Sequence, residues 1–109
     1  MTYEETRQIL TVLRTAYPQS FLRWNKEQGE AFLELWSKGL AEEKQMYVLA
    51  AVWHFITDTD REFAPTLGMV RSYINETPQY MLEADLVKYF PDRPDVKRIE
   101  SDWKRMIES

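Results

Sequence analysis

The stretch Ala41–Thr57, AEEKQMYVLAAVWHFIT, decides the fold. Apolar residues recur in it at three and four rather than at two. Met46, Leu49, Ala50, Trp53 and Ile56 share one face of a 3.6-residue helix, and Tyr47, Val48, Val52 and Phe55 widen that face to most of the circumference. A helix that is apolar nearly all round must be covered on several sides, so this segment is expected to be the central helix of an all-α protein.

The flanking segments keep the same period. Upstream, Thr2 and Glu5 stand in capping-box positions before a helix from about Tyr3 to Ala16, with Ile9, Leu10, Leu13, Ala16 and Tyr17 inward, and Pro18 ends it. The connector QSFLRWN is too apolar at Phe21, Leu22 and Trp24 to hang free, so it should pack as a lid or short turn. Asn25 and Gln28 repeat the capping-box spacing ahead of a helix with Phe32, Leu35, Trp36 and Leu40 inward, and Gly39 is its expected stop.

Downstream, Thr66 caps a short helix carrying Val70, Tyr73 and Ile74. Thr77-Pro78 closes that helix and opens YMLEADLVKYF, and FPDRPD breaks the chain again. The last element, about 95–108, sets Val96, Ile99, Trp103 and Met106 on an amphipathic stripe. The expected fold is therefore an all-α, single-domain bundle of about five to six short helices over residues 1–109.

Composition narrows the function classes. At 44% hydrophobic residues with four Trp, six Tyr and five Phe, the 109-residue chain can fill one core. It has no Cys, which excludes disulfides, thiolate metal sites and Cys nucleophiles and fits a reducing compartment, so cytoplasm is the default. No apolar run is long enough to span a membrane and no basic leader precedes one, so membrane insertion and secretion are disfavoured. The net charge of -4 is concentrated in residues 41–87, where eight acids face three bases, and no basic patch favours tight nucleic-acid binding. A protein partner is the better expectation.

FITDTDREFAPTL, 55–67, alternates Asp58, Asp60 and Glu62 like a calcium loop, but counted from Asp58 the sixth position is Phe63 and the twelfth Met69, where glycine and a bidentate carboxylate are needed. A solvated inter-helix loop is the expected role. His54, the single histidine, has only Asp58 at helical spacing, which fits a packed or hydrogen-bonded residue better than a metal or catalytic one. The three glycines, at 29, 39 and 68, are too scattered to cradle a phosphate, so no nucleotide cofactor, metal or catalytic residue is assigned and an enzyme is not expected. Trp36 and Trp53 lie among aliphatic neighbours as core residues do. Trp103, beside Met106 and Ile107, reads either as the end of the buried face or as a partner anchor. With Lys104 and Arg105 these three are the candidate partner-binding residues.

Two segments together carry a family resemblance: TRQILTVLRTAYPQSF, a helix ending in Ala-Tyr-Pro, and LAAVWHFITDTDREFAPTLGMVRSYI. They resemble the helicase loader and inhibitor family of phages of Gram-positive bacteria, over residues 2–75. The matching positions are Leu10, Leu13, Tyr17 and Pro18, then Trp36 and Leu40, then Ala50, and then Pro65, Thr66 and Ile74. The resemblance implies a helical protein that binds the hexameric replicative helicase in its ATP-bound form, restrains ATPase and unwinding activity, and passes the helicase to an origin-bound replisome organiser. It also implies a folded body followed by a flexible segment that contacts the helicase, in the cytoplasm of a bacterial host, without catalytic residues. The pattern here ends at RMIES, so either a further segment follows Ser109 or the last helix does that work. The protein is expected to be a monomer alone. The alternative from another class is a small DNA-binding initiation or regulatory domain, which would need basic side chains on a recognition helix; GMVRSYINE offers Arg71 and Glu76.

Overall fold

A computed structural model describes residues 1–108 and consists of six α-helices and one 3₁₀ turn, with no strand among the described residues. The order is α1 (Tyr3–Ala16), the turn Pro18–Phe21, α2 (Lys26–Gly39), α3 (Gln45–Asp58), α4 (Leu67–Glu76), α5 (Gln79–Tyr89) and α6 (Pro94–Glu108). The all-α expectation holds, with α3 at the centre: it packs on α1, α4 and α5.

Local chemistry fixes most of the ends. The Thr2 hydroxyl accepts from the Glu5 amide at 3.1 Å while the Glu5 carboxylate accepts from the Thr2 amide at 2.8 Å, so both expected capping-box bonds form. Asn25 and Gln28 repeat the exchange at 2.9 and 3.0 Å before α2. The Thr66 hydroxyl accepts from the Met69 amide at 3.2 Å and opens α4. Pro78 occupies the N-cap of α5, and Pro94 begins α6.

Two hydrophobic clusters share α3 as a wall. The larger joins Ile9, Leu10 and Leu13 of α1 and Leu33 and Trp36 of α2 to Val48, Leu49, Ala51 and Val52 of α3 and Val70 of α4. The smaller sets Met46 and Ala50 of α3 against Leu82 and Leu86 of α5 and Val96 of α6. Trp53, partly buried, stacks on Tyr89 with centroids 5.6 Å apart and meets the edge of Phe90, covering the α5–α6 corner rather than lying deep in the core.

Four expectations are corrected. First, α3 begins at Gln45, not Ala41, because the carbonyls of Leu40, Ala41 and Glu43 turn towards the Met1 nitrogen (3.4, 3.2 and 3.1 Å) and Lys44 is an extended N-cap. Second, Leu35 is 60% exposed, and Leu33 takes its inward place, since Leu33, Trp36 and Leu40 at i, i+3 and i+7 define the covered side. Third, Ala16 is exposed, whereas Thr6 is buried on the α1 face, its hydroxyl donating to the Thr2 carbonyl at 2.9 Å and accepting from Ser37 at 3.0 Å. Fourth, Leu22 is exposed while Phe21 and Trp24 pack, with Trp24 edge-on to Phe21 at 4.7 Å and to Phe32 at 5.6 Å.

Gly39 does close α2, but without positive φ. Its use is proximity: a Cβ there would stand 2.6 Å from Leu67 Cδ2, so glycine lets the start of α4 lie against the end of α2.

Candidate functional site

The amphipathic stripe of α6 ends in the two most exposed large apolar side chains among the described residues. Val96 is fully buried in the smaller cluster, and Ile99 packs on the same cluster one turn later. Trp103 is only partly buried and lies outside both clusters, while Met106 and Ile107 are 75% and 84% exposed. Helix lengths account for this gradient. At about 1.5 Å per residue, the 11 residues of α5 span roughly 16 Å and the 15 residues of α6 roughly 22 Å, so α6 outruns its neighbour.

Charged side chains bind one another around that stripe. Lys104 reaches Glu100 at 3.8 Å and Arg105 reaches Asp102 at 3.5 Å, three of the four exposed and Glu100 half-buried, where such pairs contribute little. At about 100° per residue, Lys104 rims the apolar stripe and Arg105 turns to the opposite side. Of the five candidate contact residues, then, Trp103, Met106 and Ile107 share a face, Lys104 borders it and Arg105 does not.

A cleft of about 590 Å³ separates α6 from the body. Glu5, Lys44, Gln45 and Tyr47 line one side; Glu83, Arg98, Ile99 and Asp102 are on the hairpin side. The Tyr47 hydroxyl donates to the Glu83 carboxylate at 3.2 Å, and Gln79 donates to the same oxygen at 2.8 Å. Burial and then the Glu83 charge push the Tyr47 phenol above its ordinary value.

Beside the cleft is a polar clasp. Arg93 grips both oxygens of Asp95, with Nε 3.0 Å from Oδ1 and a terminal nitrogen 2.9 Å from Oδ2, and the same terminal nitrogen donates to Gln45 Oε1 at 3.3 Å. Gln45 is itself buried and donates to the Glu5 carbonyl at 3.2 Å and to Gln8 Oε1 at 2.6 Å. The Arg93 guanidinium, helped by the Val96 amide and opposed by burial, holds the Asp95 carboxyl below its ordinary value. Sequence reading missed this cluster. Its one local signal was a glutamine on the most apolar helix of the chain.

The acidic loop is placed by its ends. Asp58 ends α3 with Oδ2 3.2 Å from His54 Nδ1, and the His54 ring stacks on Tyr73 with centroids 4.1 Å apart, so the histidine is packed and hydrogen-bonded as expected. The Ala64 amide donates to Ser20 at 2.8 Å and Pro65 is buried, which ties the loop to the connector after α1. Asp60 and Glu62 are exposed, and no group of three or more His, Asp or Glu gathers at metal-binding distance among the described residues. No helix of the described residues is long and apolar enough to cross a membrane.

A family model described as "G39P, N-terminal domain", where G39P is a protein name and not a substitution, matches residues 1–71. No curated protein and no solved structure matches significantly. The matched span takes in α1, α2, α3 and the first half of α4, close to residues 2–75, which carry the resemblance.

Proposed function

The chain belongs to the G39P N-terminal-domain family of phage helicase loaders and inhibitors, and from that premise we propose that it binds the hexameric replicative helicase through the uncovered end of α6. In this reading the protein favours the ATP-bound helicase, restrains its ATPase and unwinding activity, and hands it to an origin-bound replisome organiser. It acts as a monomeric adaptor without catalysis of its own, in the cytoplasm of the bacterial host.

The observation that supports the contact is the emergence of Met106 and Ile107 from the body on the stripe that begins with buried Val96. An amphipathic helix offering apolar residues at three and four spacing suits insertion into a hydrophobic groove, and Trp and Met are adaptable anchors for such a groove. Lys104, at the rim, would steer an acidic edge of the partner. Arg105 serves the same purpose only if the partner wraps beyond the stripe.

The DNA-binding alternative gains nothing from the geometry. A helix-turn-helix joins its helices by a turn of about three or four residues, whereas α3 and α4 are separated by the whole segment Thr59–Thr66. Arg71 is the single base on α4, and Lys88 the single base on α5.

The test mixes the full chain with a hexameric bacterial replicative helicase and ATP, and reads ATPase rate and complex mass. We expect a complex and a slowed ATPase, and at least a tenfold weaker complex for the double variant Met106→Asp, Ile107→Asp, the scale on which loss of interface anchors acts. No complex and an unchanged rate with the unaltered chain would remove the proposal. A full-strength complex with the double variant would move the contact elsewhere on the protein.

A further inference from the structure

The corner between α5 and α6, Phe90 to Arg93, is short and outside any helix. α5 is firmly seated on α3, and α6 in turn packs on α5. Between α6 and the α1–α3 body there is the cleft, with Arg98, Ile99 and Asp102 facing Glu5, Lys44 and Tyr47 across it. Apolar packing holds α6 only near its start, where Val96 and Ile99 join Met46 and Ala50 of α3 and Leu82 and Leu86 of α5. A polar connection joins the start of α6 to α3: Arg93, which holds Asp95 in the first turn of α6 and Gln45 in the first turn of α3 at once.

From this geometry we infer that Arg93 is a positioning residue: by gripping Asp95 and Gln45 together it sets the direction in which α6 projects from the body. The planar guanidinium is suited to this, because its donors are held in a rigid fork, two for the Asp95 carboxylate and one shared with the Gln45 amide oxygen. Gln45 is a fixed anchor for the other end. It is buried, and its amide nitrogen is already committed to the Glu5 carbonyl and to Gln8, so its oxygen presents one orientation to the arginine. Through these bonds the start of α1, the start of α3 and the start of α6 meet at one point, and the far end of α6 moves most for any rotation about it.

The inference about direction stands on these contacts alone; its consequence, that Arg93 aims the helicase-binding end, rests on the function proposed above. The chain has no cysteine, so Glu30→Cys on α2 and Ser101→Cys on α6, both exposed, give a clean pair of spin-label sites for a distance distribution on the full chain. The parent pair should give one narrow peak. Arg93→Ala should abolish that single peak while helix content stays the same. Arg93→Lys, which keeps the cation but cannot bridge both partners, should also lose the peak and carries the test should the alanine variant not fold.

An unshifted narrow peak in a folded Arg93 variant overturns the inference, whatever the helicase does. A lost peak with undiminished helicase binding upholds the clasp and removes α6 from the helicase contact, which separates the two readings.

Discussion

α1 and α6 are near twins in sequence terms and opposites in the folded protein. They have 14 and 15 residues, each is amphipathic, and each carries at least one acid in its first turn and a base in its last. Yet α1 buries Thr6, Ile9, Leu10 and Leu13, whereas α6 buries Val96 and then runs out from under its cover. The difference lies outside both helices. α1 packs on α2 and on α3, two helices at least as long as its own face, while α6 packs on the shorter α5 and is parted from the body by a cleft. A stripe of apolar residues states that a face needs covering; the length and placement of the neighbours decide whether the chain itself provides the cover.

The sharpest way to break this contrast is to cut each helix at its best buried residue. Leu13→Ala removes a fully buried side chain from the larger cluster and should cost roughly 2–5 kcal/mol in denaturant unfolding. Because α1, α2 and α3 share that cluster, hydrogen exchange should speed up in all three. Val96→Ala deletes less and deletes it at the edge, so about 1–2 kcal/mol is expected, with faster exchange concentrated in α6. If Val96→Ala instead accelerated exchange in α1 as much as in α6, the two regions would be one cooperative unit and the contrast would fail.

A smaller effect is expected from acid. Asp95 has a depressed folded-state pKa, caused first by its bond to Arg93. A depressed carboxyl stabilises the fold at pH values above its unfolded pKa of about 3.9, and that contribution is lost as pH falls through the lower folded value. The α6 amides should thus show constant protection from neutral pH down to about pH 4 and lose it below that, and Asp95→Asn should flatten this dependence. The side chain is partly open to solvent, so the change should be modest beside either core substitution.

Legibility followed the range of the interactions. The limits of α1, the start of α2 and the start of α4 could be read because each is set by residues within four positions: Thr2 with Glu5, Asn25 with Gln28, Thr66 with Met69. The start of α3 could not. AEEK has an ordinary helical composition, and what stops the helix there is a contact with Met1 some forty residues away. Leu35 and Leu33 fit the local pattern almost equally well, and only the position of α1 and α3 chooses between them.

The same limit governed the site. The stripe Ile99, Trp103, Met106, Ile107 was visible as a periodic pattern, but how far cover extended along it was not, since that depends on the relative lengths of α5 and α6 in space. The clasp was invisible for a simpler reason: Arg93 and Gln45 are 48 positions apart, and nothing local in DRPD names a partner on α3.

The two-sided character of α3 also gives the molecule an order in time. Every buried member of the larger cluster lies at or before Val70, while of the buried members of the smaller cluster only Met46 and Ala50 come from the earlier chain and Leu82, Leu86 and Val96 follow. During synthesis, which delivers the N-terminal part first, α3 can be packed on its α1 side while its other side is still bare. The α5–α6 pair, which emerges later, then docks onto a finished surface.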